Sequence, residues 1–256
     1  MRWDPAQYGR YADERGRPFL DLVARIGHPA PRRVVDLGCG PGNLTALLAD
    51  RWPGAVVEGI DASPEMITEA AARQGDRLSF RVEDVTRWAM PADADVVVSN
   101  ALLQWVPGHR DLLSRWATDL PEKGWLALQV PANFEAPSHV LMRELADSPK
   151  WAPHLAGTLR HGDAVATPDE YAALLLAAGL SADVWETTYL HVLSGEDPVL
   201  QWVRGTGLRP ILAALDEEPA AEFSAEYAAL LRSAYPATRH GTVFAVRRVF
   251  AVGHKP

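Results

Sequence analysis

The sequence predicts one α/β domain with a mostly parallel sheet, and three observations support that prediction. Short apolar, β-branched runs alternate with segments of helical periodicity along the chain of 256 residues. The first apolar run, 34–37, passes through a glycine-rich turn straight into a helical pattern. Hydrophobic residues make up 48% of the chain, which is ample for the core of a single large domain.

Seven runs have the composition of strands, and we expect the last of them to be antiparallel to the others. These runs are 34–37, 55–61, 78–82, 95–100, 125–130, 182–190 and 242–252. Helical patterns follow at 43–52, 64–73, 111–120, 138–144 and 168–178. Ser63 before Pro64, and a capping box of Thr167 with Glu170, predict two helix starts, while Gly179 predicts a helix end.

The stretch 194–236 is too long for a hairpin between the last two strands, so the sequence predicts an inserted helical cap. Its helical patterns lie around 199–215 and 220–235. The glycines of the segment 205–210 would let the chain bend toward a neighbouring pocket and bring Arg209 there.

Residues 1–27 precede the first strand and carry apolar residues at roughly helical spacing. One interpretation is a pair of amphipathic helices that pack on the sheet, with the arginines in solvent. The other is a lid over a pocket, with Tyr8, Tyr11 and Arg15 facing inward. Both interpretations remain open, because lids and packing helices have similar sequences.

Composition excludes several classes of protein. The formal net charge of −8 argues against a nucleic-acid-binding face, which usually needs a basic stripe. The sequence has no apolar run long enough for a membrane span, and its N-terminus lacks the apolar core of a secretory signal. Its single cysteine, Cys39, allows neither an internal disulfide nor a CxxC metal site. We therefore expect a cytoplasmic monomer without a metal.

The motif Asp36-Leu37-Gly38-Cys39-Gly40-Pro41-Gly42-Asn43 joins the first strand to the first helix. Glycines let a backbone approach a ligand closely, and free N–H groups at a helix start attract acceptor or anionic groups. A dinucleotide fingerprint would need glycine at position 43, and a P-loop would need Gly-Lys-Ser/Thr at its end. Neither pattern fits, and the alternative is an ordinary strand-to-helix turn.

The pattern acid-x-Gly-x-Gly-x-Gly closely resembles motif I of the class I S-adenosylmethionine-dependent methyltransferases. The resemblance implies a Rossmann-like fold and S-adenosyl-L-methionine as the cofactor, with its methionine part held by this turn. We therefore expect one domain over 1–256, with a helical lid at 1–27, a cofactor-binding core at 28–147 and a substrate-side half at 148–256. The insertion belongs to the substrate-side half.

Acidic residues end the second and third strands, where the cofactor would lie. Asp61 can accept hydrogen bonds from both ribose hydroxyls of an adenosine, since Ser63 already caps the next helix. Asp84 matches the acid that accepts the adenine amino group in this family; a solvated loop acid is the alternative. The expected cofactor-binding residues are Asp36, Gly38, Cys39, Gly40, Asp61, Ala62, Asp84, Val85 and Asn100.

A set of motifs over nearly the whole chain resembles the trans-aconitate 2-methyltransferase family. The motifs are residues 36–43, Gly59-Ile60-Asp61, Leu103-Gln104-Trp105, His139-Val140-Leu141-Met142-Arg143-Glu144, Thr187-Thr188-Tyr189 and Gly205-Thr206-Gly207-Leu208-Arg209-Pro210. The resemblance implies methyl transfer to one carboxylate of trans-aconitate, giving a monomethyl ester. A methyltransferase for another small acid or hydroxylated metabolite, and a non-catalytic cofactor-binding partner subunit, are the alternatives.

A carboxylate is ionised near neutral pH, so its methylation needs no general base, and catalysis would come from positioning. Recognition of a polycarboxylate then needs cationic or hydrogen-bond-donating side chains. The expected substrate-binding residues are Arg209, Gln104, Trp105, His139, Arg143, Asn133, Tyr189 and Tyr8. As alternatives, Tyr189 would be a core residue, His139 a helix cap, and Arg143 half of a surface ion pair. His109 is a further candidate near the fourth strand.

Overall fold

The structure is a computed structural model that describes residues 12–159 and 164–256. Within these residues, seven strands form one sheet at the centre of the molecule. The strands are β1 Arg33–Leu37, β2 Val56–Asp61, β3 Leu78–Val82, β4 Val96–Asn100, β5 Trp125–Pro131, β6 Ser181–Leu193 and β7 Thr242–His254. Their order is β3-β2-β1-β4-β5-β7-β6, and β7 is antiparallel to both of its neighbours. The predicted fold class is confirmed.

Helices cover both faces of the sheet and build the insertion. They are α1 Ala12–Ala24, α2 Asn43–Arg51, α3 Pro64–Ala70, α4 His109–Asp119, α5 Pro137–Ala146, α6 Ala152–Leu155, α7 Pro168–Ala177, α8 Pro198–Arg204, α9 Arg209–Ala214 and α10 Glu217–Ala234. Short 3₁₀ turns occupy Ala71–Arg73 and Leu103–Trp105. None of the described helices is long and apolar enough to cross a membrane.

The register of the parallel strands brings their carboxyl ends to one edge of the sheet. Leu37 of β1 pairs with Ile60 of β2 and with Ser99 of β4. Asn100, the last residue of β4, pairs with Gln129 of β5. Side chains that follow β1, β2, β4 and β5 in the sequence therefore meet at this edge, where open α/β sheets bind ligands.

Three apolar clusters hold the fold. The first lies on one face of the sheet and includes Trp88, Trp116 and Tyr171. The second joins α5 and the insertion helices to the start of β7. The third lies on the opposite face, where Phe19 and Leu22 of α1 are 1% and 0% exposed. This burial identifies α1 as a helix that packs on the sheet. Tyr8, Tyr11 and the side chain of Arg15 lie outside the described residues.

The predicted helix caps are confirmed. Ser63 Oγ accepts a hydrogen bond from Met66 N at 3.3 Å. Thr167 and Glu170 form both bonds of a capping box, and Gly179 has a φ of 80° after α7. Because these caps act within a few residues, the local sequence is sufficient to predict them.

The insertion differs from the prediction in one respect. The single helical pattern expected over 199–215 is divided into α8 and α9 by the segment Gly205–Leu208. Pro210 stands at the start of α9, a position that proline favours because its missing N–H has no helical partner there. The segment expected as a loop at 148–166 also contains the short helix α6, whose Leu155 is buried.

Gly59 offers a test of how tightly β2 packs below the site. A Cβ atom at this position would lie 2.6 Å from Phe80 Cδ1 and 3.0 Å from Cys39 Cβ. Overpacking of this kind costs about 1–3 kcal/mol, so we expect Gly59→Ala to lower the free energy of unfolding by that amount. Urea titration measures it.

Gly54 provides the matched control, because it lies exposed in a turn with no heavy atom within 4 Å of its Cβ position. Gly54→Ala should leave the unfolding free energy almost unchanged. Equal destabilisation by both variants would contradict the packing explanation.

Candidate active site

The glycine turn after β1 is packed on one side and open on the other. Gly38 and Gly42 both have a φ of 78°, and Cβ atoms there would lie 2.9 Å from Leu102 and 2.7 Å from Phe80. Gly40 has a φ of 55°, and no heavy atom of the described residues lies within 4 Å of its Cβ position. A side chain at Gly40 would therefore project into open space, where a ligand can approach the backbone.

Asp61 clamps this turn to the end of β2. Its two carboxylate oxygens accept hydrogen bonds from Gly40 N and Ser63 N, each at 2.9 Å. Gly38 N and Cys39 N donate to the carbonyl of Ile60 at 2.7 and 3.0 Å. Burial raises the pKa of Asp61, while the bonds from the Ser63 and Gly40 amides oppose that rise. A carboxylate has about four lone-pair positions, so Asp61 retains acceptor capacity for a ligand.

Asp36 and Cys39 lie behind the turn. Asp36 is 2% exposed and accepts a hydrogen bond from Thr45 Oγ1 at 2.6 Å, which ties β1 to α2. Burial raises the pKa of Asp36 to about 7, and the Thr45 bond opposes this effect. The thiol of Cys39 is buried, and its backbone carbonyl accepts from Gly42 N. Both residues thus support the turn, and direct contact with the cofactor stays a prediction for them.

The candidates beyond β2 and β3 differ in accessibility. Asp84 is exposed, and its Oδ1 accepts bonds from Thr86 N and Thr86 Oγ1 at 2.9 and 2.8 Å. These bonds lower the pKa of Asp84 and keep it ionised. Ala62 is exposed beside Asp61, whereas the side chain of Val85 is buried in the core. Val85 could therefore reach a ligand only through its backbone.

A cavity of about 150 Å³ opens next to the turn, between the sheet and the insertion. It contains most of the predicted substrate residues. Those that line it are Gln104, Trp105, Asn133, His139 and Arg143, and Asn100, which was predicted to bind the cofactor, lines it as well. The insertion contributes Trp202, Thr206, Gly207 and Pro210, and Leu159 lines it from the segment after α6. The cavity thus lies between the carboxyl edge of the sheet and the insertion, as the sequence predicted for a substrate site.

Arg143 and His139 form one wall of the cavity from α5. Arg143 Nη1 donates to the carbonyl of Phe134 at 2.7 Å, and Nη2 lies 3.6 Å from Glu135. His139 Nδ1 lies 3.2 Å from Ser138 Oγ. Burial, assisted by the charge of Arg143, lowers the pKa of His139 to about 4. His139 is therefore neutral at physiological pH and contributes a hydrogen-bonding group to the wall, without a charge.

The turn after β4 is strained. Ala101 has a φ of 55°, an uncommon conformation for a residue other than glycine. Gln104 Nε2 donates to the carbonyl of Ala101 at 2.6 Å and stabilises this turn. The other atom of this amide, Gln104 Oε1, and the side-chain oxygen of Asn100 are both buried and have no hydrogen bond to the part of the chain that the structure describes. Two acceptors are thus available at the cavity wall.

Two residues that the sequence analysis missed also line the cavity, Gln129 of β5 and Arg248 of β7. Arg248 is 9% exposed and shares its strand face with the buried residues Phe250 and Val252. Its neighbour Arg247 is exposed and pairs with Glu186. The sequence feature that could have identified Arg248 is the two-residue period of β7, which puts its side chain on the buried face.

The remaining substrate candidates lie elsewhere. Tyr189 is 5% exposed and donates from its hydroxyl to Asp21 at 2.6 Å, so it is a core residue that holds α1. Arg209 begins α9 and does not line the cavity, although the next residue does. His109 is buried, with its Nε2 at 3.1 Å from the hydroxyl of Tyr171. Tyr8 lies outside the described residues. Substrate binding by Arg209 and Tyr189 stays a prediction, whereas Arg143 and Arg248 are the arginines that line the cavity among the described residues.

Solved structures with a similar fold include methyltransferases. The YcgJ protein from Bacillus subtilis aligns with a TM-score of 0.60 and 16% identity, over 95% of this chain and 98% of that one. Haemonchus contortus phosphoethanolamine N-methyltransferase 2, solved with S-adenosyl-L-methionine, aligns with a TM-score of 0.54 and 16% identity, over 94% of this chain and 52% of that one. At this identity the likeness shows the fold.

Sequence relatives are much closer. Residues 8–183 match a family model described as a methyltransferase domain. Trans-aconitate 2-methyltransferase from Streptomyces coelicolor is 59% identical, over 99% of this chain and 87% of that relative. The enzyme of that name from Streptomyces avermitilis is 57% identical, over 99% of this chain and 97% of the relative. With such identity over nearly its full length, the chain belongs to the trans-aconitate 2-methyltransferase family.

Proposed function

We propose that this protein transfers a methyl group from S-adenosyl-L-methionine to a carboxylate of trans-aconitate, giving a monomethyl ester. The observation that supports it most is that the glycine turn and an arginine-containing cavity lie at the same edge of the sheet. The glycine turn after β1 adjoins β4, and the cavity that begins at Asn100 on β4 contains Arg143 and Arg248. A methyl-donor site thus opens onto a cavity with fixed positive charge.

The residues around the turn suit the cofactor. The open side of Gly40 gives room for the methionine part, and Asp61 can accept from the ribose hydroxyls while it holds the turn. Asp84, ionised and exposed, can accept from the adenine amino group. The cofactor supplies a methyl group on a sulfonium, which is already activated for in-line attack.

The cavity provides the recognition of an anionic substrate. The chain has a net charge of −8, so a polycarboxylate needs local cations to bind. Arg143 and Arg248 supply two guanidinium groups, which bind carboxylates with paired, charge-assisted hydrogen bonds. Asn133 also lines the cavity and is fixed there through its Oδ1, which accepts a hydrogen bond from Arg247 N at 2.6 Å. The two arginines would hold the carboxylates that do not react.

The chemical step requires position more than acid–base chemistry. The substrate carboxylate, with a pKa of about 4, is ionised at neutral pH and attacks the methyl carbon directly. One O–C bond forms while the S–C bond breaks, the electron pair stays on sulfur, and no proton is transferred. Met142, Trp202 and Phe244 line the cavity with apolar surface, which excludes water and keeps the oxygen aligned.

One observation favours a carboxylate over a hydroxylated metabolite. A hydroxyl acceptor would need a base to remove its proton, and the titratable group placed for this, His139, has its pKa lowered to about 4. Such a weak base is a poor proton acceptor near neutral pH.

The carboxylates Asp61 and Asp84 are both present around the cofactor turn, which favours an enzyme over a non-catalytic partner subunit. We also propose that the protein is a cytoplasmic monomer and that its substrate is a free small molecule.

A substrate panel tests the proposed function. We expect transfer of labelled methyl from S-adenosylmethionine to trans-aconitate, in preference to other di- and tricarboxylic acids and to hydroxylated metabolites. The label should be released by base, because an ester hydrolyses and an ether does not. Turnover of a hydroxylated metabolite alone, or a base-stable product, would contradict the proposal.

Asp61→Asn tests the cofactor half of the site. The change removes the charge and one acceptor oxygen, and a hydrogen bond to a charged group contributes about 1.5–3 kcal/mol. We therefore expect roughly 10- to 150-fold weaker binding of S-adenosylhomocysteine in calorimetry. Asp183→Asn is the control, because Asp183 on β6 is exposed and forms an ion pair with Arg25. Unchanged affinity of the Asp61 variant would remove Asp61 from the site.

Arg248→Met tests the substrate half. Loss of a guanidinium that binds carboxylate should raise the KM for trans-aconitate by about 10- to 100-fold and leave the affinity for S-adenosylhomocysteine unchanged. Arg247→Met is the matched control, since Arg247 is exposed on the opposite face of the same strand and pairs with Glu186. Equal effects of the two variants on KM would show that Arg248 does not bind the substrate.

A further inference from the structure

Gln129 is a buried amide that the fold itself does not explain. It lies on β5 with 1% exposure, and within residues 12–159 and 164–256 neither its Oε1 nor its Nε2 has a hydrogen bond. Buried polar groups are nearly always paired, because an unpaired one loses its bonds to water. Gln129 also lines the cavity. The pairing that is missing within the protein is therefore expected from a molecule in the cavity.

The strand register places Gln129 between the cofactor turn and Arg248. Gln129 pairs with Asn100 of β4 and with Phe250 of β7, two residues from Arg248. Val98, Ala127 and Phe250 belong to one cluster on one face of the sheet. Because strand residues two apart share a face, the side chains of Asn100, Gln129 and Arg248 share that face as well.

This row crosses three adjacent strands, which lie about 4.8 Å apart. β4 adjoins β1 and the cofactor turn, β5 comes next, and β7 follows. A substrate with one carboxylate on the guanidinium of Arg248 would therefore extend over Gln129 as it approaches the turn. Gln129 is the polar side chain of this row that lies between Arg248 and Asn100, so the reacting end of the substrate passes it on the way to the turn.

We propose that Gln129 binds the reacting carboxylate of the substrate and orients one of its oxygens toward the methyl group, an inference that rests on the proposed function. Its amide N–H groups donate to one oxygen and leave the lone pairs of the other oxygen available for attack. The amide is neutral, so it positions the carboxylate without the charge neutralisation that an arginine would impose on a nucleophile. The arginines then hold the other carboxylates.

A substrate-binding role and a structural role for Gln129 predict opposite effects of its replacement on the melting temperature. In the protein without substrate, the amide is buried and unpaired, so an apolar side chain of similar size would remove an unfavourable burial. Gln129→Met should therefore leave the melting temperature unchanged or raise it, while it impairs catalysis. A glutamine that stabilises the fold would show the opposite, a lower melting temperature.

The experiment combines kinetics, calorimetry and thermal unfolding on the full chain. For Gln129→Met we expect kcat/KM for trans-aconitate to fall by about 10-fold or more, with the affinity for S-adenosylhomocysteine within about twofold of wild type. Gln129→Glu keeps the shape but brings a carboxylate against a carboxylate, so its loss should exceed that of the methionine variant. Gln74→Met is the control, because Gln74 is exposed beyond α3.

Two results would overturn the inference. One is a kcat/KM within about twofold of wild type for both Gln129 variants. The other is a Gln129→Met protein whose melting temperature and cofactor affinity fall together with its activity, which would indicate a structural role. The substrate panel is first measured with the wild-type protein, so that a failure of the proposed function is distinguished from a failure of the role proposed for Gln129. If another acid is the substrate of the wild type, the variants are measured with that acid.

Discussion

The hydrogen bonds from Gly40 N and Ser63 N to the carboxylate of Asp61 are the interaction on which the site depends. They join the end of β2 to the turn after β1, and the same bonds oppose the effect of burial on the pKa of this half-buried carboxylate. The turn therefore has a defined shape before any ligand arrives. A preformed turn reduces the ordering that binding would otherwise require.

The site separates its charges by strand. Acidic groups cluster where β1, β2 and β3 end, which suits a cofactor with a positive sulfonium and with hydroxyl and amino donors. Guanidinium groups come from α5 and β7, on the far side of β4. An anionic ligand would not fit the acidic region, and a cationic ligand would not fit the region with the guanidinium groups. The overall charge of −8 thus conceals two local fields of opposite sign.

Local signals predicted most of the fold and the glycine turn that Asp61 holds. Caps such as Thr167, the glycine turn and Asp61 depend on a few neighbouring residues, so their sequence context was sufficient. The substrate half depends on contacts distant in sequence. Arg209 was favoured because it follows glycines, but its helix directs the next residue to the cavity; Arg248 was missed because its role depends on β7 pairing with β5. Strand parity could have indicated Arg248, but not which cavity it would face.

The cavity wall stores unfavourable free energy that the fold could have avoided. Ala101 is held at a positive φ, and the amides of Asn100, Gln104 and Gln129 all have buried atoms without hydrogen bonds. Sequences that are optimised for stability alone would replace these residues with apolar ones, since each unpaired amide loses its bonds to water. Their concentration at the carboxyl ends of β4 and β5, and their shared exposure to one cavity, are explained if a ligand completes their hydrogen bonds. Binding of the substrate then relieves a cost already present in the protein, and the relief contributes to affinity and to alignment at the same time.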